Sequence, residues 1–125
     1  MGLKVQTTEK HAGVYVVSLI GSLDSNTSPA LEREVDSVLE KTPDVLAFDM
    51  EFLEYMSSVG VRILFKAHRA MKKFDGKVMH LKLQPQIKKV FEIINALPYQ
   101  QIFSSTEEMD AYLDVIQKRV IKGDE

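Results

Sequence analysis

A continuous apolar run, Val45-Leu46-Ala47-Phe48, is followed by Val61, Leu64, Ala67, His68 and Met71 at helical spacing. That pairing confines the chain to folds in which a strand feeds a helix. A run without polar alternation suits a strand covered on both faces. Between strand and helix lies a connection ending in Met56-Ser57-Ser58-Val59-Gly60. It sets one or two hydroxyls where a loop exposes its end and a helix begins, the usual place for contact or chemistry in an α/β domain.

The flanking sequence extends the pattern. Leu3, Val5 and Thr7 alternate, and Val14 to Ile20 follows after His11-Ala12-Gly13, which reads as two strands joined by a short turn. Gly21 to Ser28 breaks the pattern with small polar residues. Ser28 is placed as an N-cap before Pro29, and the helix runs to about Glu40 on Leu31, Val35, Val38 and Leu39. After the central helix, Asp75-Gly76 is a turn. Lys77 to Leu83 then alternates as a strand with Met79, Leu81 and Leu83 as its inner face. A third helix opens at Pro85 and buries Ile87, Val90, Phe91, Ile94 and Leu97. Ile102-Phe103 reads as a short edge strand. Ser105 with Glu108 fits a capping box for a last helix carrying Met109, Tyr112, Leu113, Ile116 and Val120. The expectation is an α/β fold with a mixed sheet and about four helices, its strand order undetermined.

With 125 residues the chain is expected to form one domain over 1–125, with an ordered core of about 3–120. A formal net charge of −2 argues against a general nucleic-acid binder. Without cysteine there is no disulfide, thiolate metal site or cysteine nucleophile. No stretch has the length and apolarity to span a bilayer, so a cytoplasmic protein without membrane insertion is expected.

Catalytic motifs do not fit. His11, His68 and His80 fall in a turn, on a helix and in a strand, without a metal-ligand spacing, and read as packing or surface residues. No nucleophile elbow, Walker loop or dinucleotide fingerprint is present, so neither cofactor nor metal is expected. Arg62, Lys66, Arg69 and Lys73 share one face of the second helix, either as a solvated face or as an electrostatic contact for an acidic partner. A serine at a helix start is most often a cap.

Three segments in order change that weighting. Gly21-Ser22-Leu23-Asp24, then Phe52 to Leu64 around Ser57-Ser58-Val59-Gly60, then Pro85 to Phe91 with Ile102 to Glu108, resemble the STAS-domain family of bacterial anti-sigma-factor antagonists. The resemblance implies a non-enzymatic regulator of transcription. Its partner would be an anti-sigma factor that is also a serine kinase. The same resemblance implies phosphorylation at Ser58 and a partner surface of Asp24, Ser25, Asn26, Ser57, Ser58, Val59, Gly60 and Arg62. Ser57 stands where the family often has aspartate. Self-association is left open. Two rivals accompany this reading. One is an unphosphorylated STAS adaptor or ligand-binding subunit, as in a lipid-transport assembly. The other is a small hydrolase using Ser58, Asp24 and a histidine.

Overall fold

Val17, Leu19, Leu46 and Phe48 have no solvent exposure, and their strands are the two central ones of a four-stranded sheet. The structure, a computed structural model, describes residues 2–96 and 106–123. The sheet order is β1 (Leu3–His11), β2 (Val14–Leu23), β3 (Val45–Met56), β4 (Lys77–Leu81). β1 and β2 are antiparallel, whereas β2–β3 and β3–β4 are parallel. Parallel neighbours require crossovers. These are α1 (Ser28–Leu39) and α2 (Ser58–Lys72), and α3 (Pro85–Ala96) and α4 (Thr106–Lys122) complete the described residues. The expected mixed α/β sheet with four helices is therefore observed, while Ile102-Phe103 and the Ser105–Glu108 capping box lie outside the described residues or side chains.

The helices cover one face of the sheet. Tyr15, Val17, Leu19, Leu46, Phe48 and Met50 join Leu31, Val35 and Val38 of α1 and Val61, Leu64, Ala67 and Met71 of α2 in one core. Full burial of each large aliphatic side chain contributes roughly 2 kcal/mol. α1 begins one residue earlier than the sequence suggested. Thr27 is its N-cap, and the Ser28 N–H already donates to the Asp24 carbonyl at 2.8 Å.

Two further expectations are corrected. In β4 the inner positions are Val78 and His80, paired with Leu46 and Phe48, whereas Met79 pairs with Ala47 on the opposite face and is 48% exposed. The alternation of Met79 and Leu81 marked a face that no described helix covers. β3, in turn, does not end at Phe48. It continues to Met56, leaving a single residue before α2. Its register against β2 slips twice, between Ser18 and Ile20 and between Gly21 and Ser22, each time with an extra residue in β3. Such bulges bend a strand and re-aim its side chains.

β3 also outruns its neighbour. β4 pairs only with Val45 to Asp49. Beyond that, three glutamine side chains serve the backbone edge that β4 leaves unpaired. Gln84 Nε2 donates to the Glu51 carbonyl at 2.6 Å and Gln86 Nε2 to the Glu54 carbonyl at 3.0 Å. Gln117, fully buried on α4, accepts from the Met56 N–H at 2.9 Å and donates to the Met56 carbonyl at 2.9 Å. No helix among the described residues is long and apolar enough to cross a membrane.

Candidate functional site

The ends of β2 and β3 lie side by side, because Leu23 pairs with Met56. The chain leaves β2 through a turn at Asp24 and leaves β3 directly into α2. The Ser57 N–H donates to the Leu23 carbonyl at 2.9 Å, which ties the two exits together. Asp24, Ser25 and Asn26 on one side and Ser57, Ser58, Val59, Gly60 and Arg62 on the other, grouped by sequence resemblance alone, thus stand at one corner of the molecule.

Asp24 builds its own turn. One carboxylate oxygen, Oδ1, accepts from the Asn26 N–H at 2.9 Å and the Thr27 N–H at 3.1 Å. Thr27 Oγ1 donates to the Ser22 carbonyl at 2.8 Å and accepts from the Asp24 N–H at 2.9 Å. Aspartate is suited to this because its short side chain folds back onto the backbone two residues on. Ser25 and Asn26 are carried outward and exposed.

The serines are less open than the sequence suggested. Ser57 is 6% and Ser58 2% exposed. The cause is close packing of the helix start: a Cβ on Gly60 would sit 2.6 Å from Leu23 Cδ2 and 3.0 Å from Met56 Cγ. Only glycine lets α2 approach β2 and β3 this far. Ser57 holds the N-cap position with extended backbone, yet its Oγ makes no capping bond and is buried without a partner. A buried hydroxyl left unmade costs about 1–3 kcal/mol. Capping therefore does not account for serine at position 57.

Charge around the corner is positive. The N-terminal ends of α1 and α2, each carrying about half a positive charge, flank a cleft of about 180 Å³ whose charged lining residues are Arg62, Lys66 and Arg69 against the single acid Glu32. Lys66 bridges to Glu32 at 3.0 Å and Asp36 at 3.4 Å of α1. Its pKa is raised, first by the hydrogen bond to Glu32. Among the described residues no carboxylate pairs with Arg62 or Arg69. Arg62 lies one turn after Ser58 on the same helix face.

Sequence reasoning missed two groupings. Gln117 is not among the residues that the sequence assigns to the buried face of the last helix, although it fixes Met56 immediately before the serines. His68 and His80, read as unrelated, approach to 3.4 Å between their Nε2 atoms. Burial lowers the pKa of His68. Burial and, secondarily, His68 push that of His80 down to about 4. Among the described residues no group of three or more His, Cys, Asp or Glu could hold a metal ion.

The His80 value makes stability depend on pH in a defined window. The unfolded histidine takes up a proton near pH 6.5, the folded one only near 4, so stability falls as pH drops from about 6.5 to 4 and is unaffected above. Allowing for solvent screening of a half-exposed ring, the loss is roughly 1–2 kcal/mol. Urea titrations at pH 7.5 and 4.5 are expected to show that extra loss in wild type but not in His80→Phe. Equal losses in both would assign the acid sensitivity to carboxylates.

The comparisons with known proteins agree with this architecture. BtrV of Bordetella bronchiseptica is 27% identical over 101 residues, spanning 81% of this chain and 87% of BtrV. RsfB of Mycobacterium tuberculosis, an anti-sigma-F factor antagonist, is 38% identical over 58 residues, or 46% of this chain and 48% of RsfB. The crystal structure of an anti-sigma factor antagonist from Mycobacterium paratuberculosis matches with a TM-score of 0.66 and 27% identity, over 92% of this chain and 94% of that one. The anti-sigma factor antagonist SpoIIAA in its unphosphorylated form shares the fold, with a TM-score of 0.63 at 21% identity, covering 71% of this chain and 82% of SpoIIAA. With residues 6–109 matching its signature, the chain belongs to the STAS domain family.

Proposed function

We propose that this chain is an anti-sigma-factor antagonist, a cytoplasmic, non-enzymatic bacterial regulator acting on transcription through protein contact alone. Its partner is an anti-sigma factor that is also a serine kinase. The binding surface is the corner formed by Asp24, Ser25, Asn26, Ser57, Ser58, Val59, Gly60 and Arg62, and phosphorylation of Ser58 releases the complex. The observation that carries the reading is the juxtaposition of the Asp24 turn with the start of α2. The relatives named above, several of them anti-sigma-factor antagonists, support it from a second direction.

The chemistry is consistent with a switch. A phosphate adds about −1.5 to −2 charges and three acceptor oxygens. The two helix N-termini and Arg62 favour such a group within the free protein. Against a docked partner the same charge loses its water and meets no counter-charge from the partner, which costs several kcal/mol. Because Ser58 is 2% exposed, the kinase must first displace what packs over the helix start. Phosphorylation therefore reports a local opening as well as an encounter.

The test uses the kinase captured from the native cell, with ATP and intact-mass detection. Ser58→Ala is expected to take up no phosphate and to bind at least as well as wild type. Ser58→Asp is expected to bind at least about tenfold more weakly, equivalent to 1.4 kcal/mol. Full phosphorylation of Ser58→Ala would move the acceptor to Ser57 or another hydroxyl. Equal affinity of Ser58→Asp and wild type would favour the second reading, an unphosphorylated adaptor, which the burial of Ser58 also favours.

A further inference from the structure

We infer that the groove between α2, β4 and α3 is a binding site for a small amphipathic carboxylate, an aryl-alkyl or medium-chain acid, held by Arg69 and the His68–His80 pair. The groove encloses about 570 Å³ and is lined by Leu64, Phe65, His68 and Arg69 of α2, His80 of β4, and Leu83 and Phe91. That volume falls in the range of small-molecule sites, which are mostly apolar with a few convergent polar groups. Arg69 stands roughly three turns along α2 from Ser58 and lines both this groove and the cleft beside the helix starts.

The lining selects the sign and shape of the occupant. Phe65, Leu83 and Phe91 are only half buried, so the groove keeps apolar surface in contact with water. An aliphatic or aromatic body would cover it. Among the described lining residues Arg69 is the one side chain with a fixed charge, and none is a carboxylate. A cationic ligand would thus meet a guanidinium and nothing to balance itself. A carboxylate would meet a planar donor fork matched to its two oxygens.

The imidazoles add orientation. His80 is held in a ring cluster, with centroids 6.0 Å from Phe48, 5.1 Å from His68 and 5.0 Å from Phe91. Packing on several sides fixes its plane before any ligand arrives, which lowers the ordering cost of binding. Burial holds both rings neutral near pH 7, so they act as hydrogen-bonding groups beside the guanidinium. Two imidazole nitrogens next to a fixed cation make a poor metal site, since a divalent ion would meet Arg69 without any anionic ligand.

The test is an amide and imidazole NMR titration of the full chain with 4-phenylbutyrate and octanoate, beside 4-phenylbutanol and 4-phenylbutylamine. Both acids are expected to give saturable shifts confined to the C-terminal half of α2, β4 and α3, and to the His68 and His80 rings. The alcohol and amine should bind about tenfold more weakly or worse, and Arg69→Gln should lose about tenfold for the acids while Arg69→Lys recovers part of it. Absence of saturation by either acid at about 10 mM, where binding would be worth under roughly 3 kcal/mol, overturns the proposal. So does equal affinity for acid, alcohol and amine, a comparison that needs no variant.

Discussion

Gln117→Leu is expected to be among the most damaging substitutions of a polar residue in this protein, with a loss of about 3–4 kcal/mol. Leucine keeps roughly the volume of the side chain, so a cavity contributes little. What disappears is the bidentate amide contact to Met56, whose N–H and carbonyl it engages at 2.9 Å each. Each buried backbone group left without a partner costs about 1–3 kcal/mol. Gln86→Leu is the natural comparison, because it removes one bond to the β3 backbone, at the Glu54 carbonyl, and one to Gln84 Oε1, without orphaning a backbone N–H, and should cost about 1 kcal/mol. Urea unfolding of the two variants beside wild type measures the difference. Equal, small losses would mean that water replaces the amide at Met56.

Gly60→Val is expected to lower stability by about 2–3 kcal/mol and the melting temperature by roughly 10 °C. The added atoms would overlap Leu23, which has no solvent exposure and so no space to rotate into. The helix must instead move away from β2, carrying Ser57 and Ser58 with it. On the reading proposed above, partner affinity then falls even where the variant is still folded. Gly60→Ala separates the two effects, since alanine gains about 1 kcal/mol of helix propensity against a smaller overlap. A melting temperature of Gly60→Val within about 2 °C of wild type would mean that Leu23 yields freely.

The succession of strands and helices along the chain was legible because most elements carry their own period and the central strand a continuous apolar run. The Ser57–Gly60 helix start was legible for the same reason. The length of β3 was not. Its second half buries Met50, Leu53 and Met56, three residues apart, because two bulges interrupt the alternation that marks a strand. Met79 misled for a different reason: alternation tells which residues share a face, but not which face the helices cover. The burial of Ser57 and Ser58 depends on contacts with Leu23, and the position of Met56 on Gln117. Such long-range contacts leave no local trace, and the meeting of His68 with His80 likewise required the α2–β4 crossover to be folded.

The glutamine edge has a kinetic side. Met56 and Gln117 are 61 residues apart, so their contact closes one of the long loops of the chain. Loop closure of that kind is entropically costly and follows the formation of nearer contacts. Until α4 docks, the backbone of β3 near Met56 presents open donors and acceptors, a template for a strand from another molecule. The corner that carries Ser58 is thus among the last parts of the domain to mature. A chain cut before Thr106 would expose that edge permanently and should associate through it.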